Sequence, residues 1–186
     1  MVPLLSLWLP VLLAELLVFI VIAVIHTLLP KYHHLDFRKL PQEDEVQGAL
    51  RAAGVEQGEY VLPYAGGMMQ MREPDYLEKV KRGPVALLTV IPGECGMARS
   101  LILWFVYCVV VGTFAAYLAG RALGPGASFL EAFRFASCAA FAGYALALWQ
   151  DAIWFNRRIS TTLKYTLDGV IYALLTGGVF GWLWPA

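Results

Sequence analysis

The chain has 186 residues, and its 14 Lys and Arg balance 14 Asp and Glu, yet 59% of it is hydrophobic and only 15% charged. Soluble domains run at roughly 45–50% apolar and about 25% charged, so this is the composition of a membrane protein. A disordered chain, a basic nucleic-acid binder and a small disulfide-stapled domain are excluded as first readings.

The charge is bunched. Of the 28 charged residues, 19 fall between Lys31 and Arg99, which separates one polar segment from apolar sequence on either side. A helix needs about 20 mostly apolar residues to cross roughly 30 Å of hydrocarbon. Four stretches qualify, at residues 4–29, 100–121, 128–151 and 162–184. The expected fold class is therefore a membrane all-α bundle of four transmembrane helices, with a small α/β domain (residues 30–99) inserted between helices 1 and 2.

The first span is interrupted only by Pro10 and Glu15 and stops at Pro30-Lys31. It lacks the charged start and small-residue cleavage site of a signal peptide, so it is expected to stay in the mature chain. Arg99 and Arg121 bracket the second span. Ser128 with Glu131 forms a capping box that predicts a helix start near Phe129, and Thr161 or Thr162 is the expected cap of the fourth helix. Lys31, Arg38, Lys39, Arg99, Arg157, Arg158 and Lys164 lie on one side of this arrangement, against Arg121 and Arg134 on the other. The positive-inside rule then puts the inserted domain in the cytoplasm and both termini outside.

Within the insert, residues 43–53 (EDEVQGALRAA) place Val46, Ala49, Leu50 and Ala53 on one helical face, with Gly54 as C-cap. Residues 59–62 and 85–91 are β-rich, and 75–81 after Pro74 suits a second short helix. Two strands bury little, so the apolar face of this domain is expected to rest on the bundle or on a partner.

Tyr32-His33-His34-Leu35-Asp36-Phe37 with Leu40-Pro41, the run EDEVQGALRAAG, Gly58-Glu59-Tyr60, Pro63 and Gly83-Pro84, followed by Trp149 to Asp151 and Tyr165 to Asp168, resemble a group of small bacterial four-span inner-membrane proteins of uncharacterised activity. The resemblance implies a bacterial inner membrane and the layout above. It brings no activity, ligand or catalytic residue.

Glu15 falls near the middle of the first span, where an acid costs about 3 kcal/mol on insertion scales. Eighteen Leu, Val, Ile or Phe residues in the same span outweigh it. The acid then either stays neutral, hydrogen-bonded to a hydroxyl such as Ser137, Tyr144 or Thr176, or lines a wet path for protons or cations. His26, eleven residues later, lies within roughly 20° of the same stripe but about 16 Å along the axis.

His33 and His34 follow Pro30 in a stretch expected to be non-helical, with Asp36 nearby, and are candidates for a metal or haem site. The soft donors Met68, Met69, Met71 and Cys95 are weaker candidates for Cu(I), since no fixed ligand spacing is present. Lys164 lies four residues before Asp168, and Arg157 and Arg158 are near Asp151, so interfacial ion pairs are expected for both acids. His26, Trp149, Gln150, Asp151, Trp154, Tyr165 and Asp168 come from three helices at similar depth, a convergence that suits a headgroup, a quinone or a small polar ligand.

Small residues mark expected packing faces: Gly112, Ala116 and Gly120; Ala139, Gly143 and Ala147; Gly177 and Gly181. Trp104, Trp154, Trp182 and Trp184 suit interfacial belts. No nucleotide loop, HExxH or GxSxG is present. The function this favours is a non-catalytic accessory, assembly or scaffold subunit of a membrane complex or homo-oligomer. Its partners would be the lipid bilayer and other membrane subunits or copies of itself, not nucleic acid, and no cofactor is assigned. The alternatives are a small transporter or channel using Glu15, and a metal- or haem-binding redox protein using the His and Asp cluster.

Overall fold

The computed structural model describes every residue except Leu35, Glu94 and Cys95, and the side chains of Pro30 and His34. Two residues singled out above are affected: Cys95, and the side chain of His34, lie outside the described residues. In chain order the elements are a 3-10 turn at Leu4–Leu7, α1 (Trp8–Leu28), α2 (Pro30–His34), α3 (Glu43–Ala52), β1 (Gly58–Leu62), α4 (Pro74–Arg82), β2 (Ala86–Val90), α5 (Met97–Ala122), α6 (Phe129–Phe141), a π-helical turn at Ala142–Leu146, α7 (Leu148–Trp154) and α8 (Ile159–Trp182). The chain divides into two compact units, Met1–Arg38 with Met97–Ala186, and Lys39–Gly96.

In the first unit α1 packs on α5 and α8, and α6 packs on α5 and α8. Pro10 is accommodated because it falls in the first turn of α1, where backbone N–H groups have no intrahelical partner. Contrary to expectation, the stretch after Leu29 is helical: Pro30 occupies the first position of α2, where its missing N–H costs nothing. The Ser128–Glu131 capping box is formed, Ser128 N–H donating to Glu131 Oε2 at 2.8 Å, and α6 starts at Phe129. α8 begins at Ile159 behind Arg158, earlier than expected, and neither Thr161 nor Thr162 caps it.

Backbone bonds fix the two ends of this unit. Val2 N–H donates to Gly120 O at 2.8 Å and Gly126 N–H to Pro185 O at 2.8 Å, while the Trp184 indole N–H donates to Gly124 O at 3.0 Å. At the opposite end, Tyr32 O–H donates to Lys164 O at 3.3 Å. α8 thus runs from the α2 end to the end where both termini lie.

Among the described residues three helical segments are long and apolar enough to cross a membrane, Leu4–Leu28, Met97–Ala122 and Phe129–Trp154, as suits a membrane protein. The expected fourth span, α8, is 24 residues long but is not one of them. Lys164, Asp168 and its threonines dilute its hydropathy, yet Thr162, Asp168 and Thr176 are buried. Two of the four tryptophans expected at interfaces also make packing contacts within the unit. Trp104 lies against the cluster around Tyr144, and Trp184 against Phe180 and its neighbours.

The second unit holds a two-stranded antiparallel sheet, with Tyr60 opposite Leu88 and Gly58 opposite Val90. Gly54 ends α3 with φ +65°, a conformation that favours glycine. None of the described residues in Lys39–Gly96 is buried. Two strands and two short helices enclose no core, which follows from the small area so few elements can cover.

Candidate functional site

Two polar clusters lie within the first unit, one around the buried Glu15 and one around the buried His33 and Asp168. The upper one is built on Glu15, which is 0% exposed. It lies at the seam of two apolar clusters: Val2, Leu7, Val11, Ala14, Ala116, Ala136 and Phe180 on the side of the chain termini, and Val18, Ile25, Cys108, Val111, Ala140, Tyr144, Tyr172 and Ala173 on the other. Each neighbouring helix changes character at that level. α5 offers Gly112, where a Cβ would overlap the Glu15 carboxyl and sit 2.8 Å from its Cγ. α8 offers Thr176, whose hydroxyl donates to Oε1 at 3.4 Å, and the π turn offers Tyr144, whose hydroxyl donates to Oε2 at 2.6 Å. Ser137, the third hydroxyl considered, does not reach the acid; its Oγ is buried without a partner, packed where Gly177 leaves room for it.

The π turn positions Tyr144. A wider turn breaks the regular i to i−4 ladder and frees a carbonyl, and Tyr107 O–H donates to Gly143 O at 2.6 Å. The aromatic rings continue from there. Tyr107 meets Tyr144 edge-on at 6.0 Å between centroids, and Tyr144 meets Tyr172 edge-on at 5.5 Å.

The lower cluster surrounds His33. Its Nε2 is 3.0 Å from Asp168 Oδ2 and its Nδ1 is 3.1 Å from Asp36 Oδ2. His26 stacks on one face of the ring at 4.7 Å and Tyr165 on the other at 4.8 Å, while Tyr32 stands edge-on at 4.6 Å. Lys164 Nζ donates to Asp36 Oδ1 at 2.8 Å and to the Tyr32 carbonyl. A neutral imidazole has one N–H to give, so using both contacts takes either a doubly protonated ring or a proton on one carboxyl. Asp168 is 2% exposed and its Oδ1 has no hydrogen-bond partner.

Burial works to raise the Asp36 carboxyl, but the hydrogen bonds from Lys164 and His33, with the Lys164 charge, outweigh it and hold the group below the usual carboxylate range. Burial, followed by the charge of Asp168, pushes the Tyr32 phenol up. Lys164 is therefore not the helical partner of Asp168 that its i, i+4 spacing suggested. It turns to Asp36 and to the carbonyl of α2, where a buried carboxylate needs a cation more than an exposed helix surface does.

Of the interfacial set named from the sequence, His26, His33, Tyr165 and Asp168 come together. Trp149 is half-buried, Gln150 and Trp154 are exposed, and Asp151 makes only a 4.0 Å contact with Arg157 at the surface. Met68, Met69 and Met71 are exposed in the other unit. Among the described residues no group of three or more His, Cys, Asp or Glu is arranged to hold a metal ion. The reason at His33 is geometric: the two carboxylates sit on opposite edges of one ring, so their oxygens do not converge.

The small residues divide in the same way. A Cβ at Gly120 would lie 2.7 Å from Val2 O, at Gly143 2.9 Å from Val111 Cγ1, and at Gly181 2.7 Å from Phe129 Cδ2. Ala116 and Ala139 are buried, whereas Ala147 is exposed. Tyr32, Asp36 and Lys164, absent from the sequence-derived set, complete the lower cluster, and Gly169, whose Cβ would lie 2.8 Å from Ala145 Cβ, extends the packing ridge of α8. The four-residue spacing of Gly169, Ala173, Gly177 and Gly181 was the available signal for the last. No family model, curated protein or solved structure matches the chain.

Proposed function

We propose that the protein is a non-catalytic, multi-pass accessory or scaffold subunit of a bacterial inner-membrane assembly, with Lys39–Gly96 as its docking unit. The observation that carries this is that no described side chain of that unit is buried, although it presents Val61, Leu62, Val85, Leu87 and Ile91. Such a surface gains stability by covering its apolar area against something else. The unit carries nine acidic residues against six basic ones, which suits a protein partner better than anionic lipid.

The bundle supplies the anchor. Exposed Leu12, Leu16 and Ile20 on α1 and Ile102, Val106 and Val110 on α5 suit acyl chains. α8 is the fourth span in this proposal, because it runs from one end of the unit to the other and turns Asp168 and Thr176 inward. The docking unit is cytoplasmic and both termini are outside, in keeping with the basic residues that flank the spans. Both polar clusters fasten α1 and its extension to later helices, from which the inserted unit separates them in sequence.

Cross-linking in native membranes, followed by purification and mass spectrometry, tests the reading. A defined subunit or a second copy should be enriched, and the enrichment should fall in Leu87→Glu. A chain recovered alone, with identical behaviour of that variant, would overturn it. The buried Glu15 at a π turn favours a second reading, ion translocation, for which Glu15→Gln should abolish a measurable flux in proteoliposomes.

A further inference from the structure

We propose that the first unit holds one phospholipid with a negatively charged headgroup, in a groove between α5 and the segment that leads into α1. Two hollows make up the groove. The mouth, of about 330 Å³, is lined in part by Val2, Leu4, Ala116, Tyr117 and Arg121. The second, of about 390 Å³, shares Leu4 and adds Leu5, Trp8, Leu12, Val109 and Thr113.

The local sequence shapes this groove. Val2 N–H donates to Gly120 O at 2.8 Å, an approach that a side chain would block, because a Cβ at Gly120 would lie 2.7 Å from Val2 O. The 3-10 turn that follows buries Leu7 and leaves Leu4, Leu5 and Trp8 exposed, while Ala116 beneath carries no more than a methyl group. On α5, Val109, Thr113, Tyr117 and Arg121 recur every four residues and form one ridge. Two of them line each hollow, so the hollows follow one another along that ridge. From Arg121 to Val109 it runs about 18 Å along the axis, close to the depth of one leaflet, about half of the roughly 30 Å of hydrocarbon.

Charge is confined to the mouth. Arg121 stands exposed in the last turn of α5, and no described Asp or Glu forms a salt bridge with it. Glu131, the acid at that end, is committed to the Ser128 N–H and hydroxyl at 2.8 and 2.7 Å. A guanidinium without a counter-charge suits a phosphate, which it binds through two parallel N–H···O bonds. Tyr117 exposes half its ring in the same hollow, and tyrosine is a residue of the headgroup level. Deeper in, Leu5, Leu12 and Val109 suit an acyl chain. A free phosphate would leave that second hollow uncovered, whereas a phospholipid brings an anion and a chain at matching depths. The hollow between α6 and α8, lined by Ser137, Cys138, Phe141, Val170, Ala173 and Leu174, has no charged residue and offers nothing to select a headgroup.

The inference rests on the first unit being the membrane anchor. Native mass spectrometry of the whole chain tests it, after reconstitution in vesicles of equal parts phosphatidylglycerol and phosphatidylcholine and release in mild detergent. Wild type should retain one phosphatidylglycerol per chain in preference to phosphatidylcholine, and Arg121→Gln should lower that preference about fivefold. Thr113→Phe fills the second hollow from an exposed position and should lower retention of both lipids. Arg134→Gln, which removes the other basic side chain of that end, should leave retention unchanged. Equal retention of the two lipids, no change in Arg121→Gln or Thr113→Phe, or an equal loss in Arg134→Gln would each overturn the proposal. So would displacement of the lipid by excess inorganic phosphate, or a chain that carries a second copy and no lipid. A chain found outside the membrane fraction would overturn the anchor as well, whereas co-purifying subunits bear on the docking unit alone.

Discussion

The two units of this chain bury opposite things. Met1–Arg38 with Met97–Ala186 takes Glu15, His33, Asp168 and Thr176 into its interior and leaves leucines and valines outside, whereas Lys39–Gly96 takes no described residue inside at all. In the first unit Glu15, His33 and Asp168 each have a bonded partner on another helix, so polarity there locks helices together. In the second, both polar and apolar groups face outward, and its shape rests on local turns, helix caps and one pair of strands. The lesson is that the same chain is finished in one region and unfinished in the other.

Glycine-to-alanine replacement should separate the units most sharply. In Gly177→Ala the added Cβ overlaps Ser137 Oγ and meets Phe133 O at 2.7 Å. A loss of about 1–3 kcal/mol is expected, with a lower melting temperature in detergent. Gly48 in α3 has nothing within 4 Å, so Gly48→Ala should instead gain about 0.5–1 kcal/mol of local helix stability, read as slower amide exchange in that helix. A destabilised Gly48→Ala would mean that the inserted unit is more tightly enclosed than its exposed surface indicates.

Ser128→Ala removes the hydroxyl half of the capping box and leaves the backbone N–H bond to Glu131, and should cost about 1 kcal/mol, measured by chemical denaturation of the reconstituted protein. Acid probes the lower cluster. Asp36 sits below its ordinary carboxylate value, so the stability it contributes is complete above about pH 4 and is lost as the pH falls through the folded-state value. Amides of α2 should exchange faster on acidification, and Asp36→Asn should remove that dependence. The smallest effect is expected at the surface. Arg157→Ala breaks a 4.0 Å contact between exposed side chains and should change stability by less than about 0.5 kcal/mol.

Those magnitudes follow the line between what the sequence discloses and what it withholds. Ser128 and Glu131 are three residues apart and act on each other, so the start of α6 is legible from four letters. The apolar runs disclose three membrane-length helices for the same reason. Lys164 misleads, because its neighbour in sequence is Asp168 while its partner in space is Asp36, 128 residues away. No local rule favours the distant acid; the position of α2 does. α8 scores low in hydropathy because Asp168 and Thr176 count as if exposed, although packing hides them. The π turn leaves no compositional mark either, since Ala142–Leu146 carries the same small and apolar residues as an ordinary helix.

That turn makes the third long helix sensitive to chain length in a way that its neighbours are not. Each residue advances an α-helix by about 100°, and a π turn amounts to one residue more than the regular ladder holds. Ala132, Ala136, Ala139 and Ala140 before the turn, and Tyr144 and Ala145 at it, all face inward because that surplus residue resets the phase. Deleting a single residue between 142 and 147 would leave composition, hydropathy and helix content almost untouched while rotating one end of the helix about 100° against the other. Either Tyr144 or the alanine face would leave the interior, so an indel count of one here outweighs several substitutions elsewhere in the same helix.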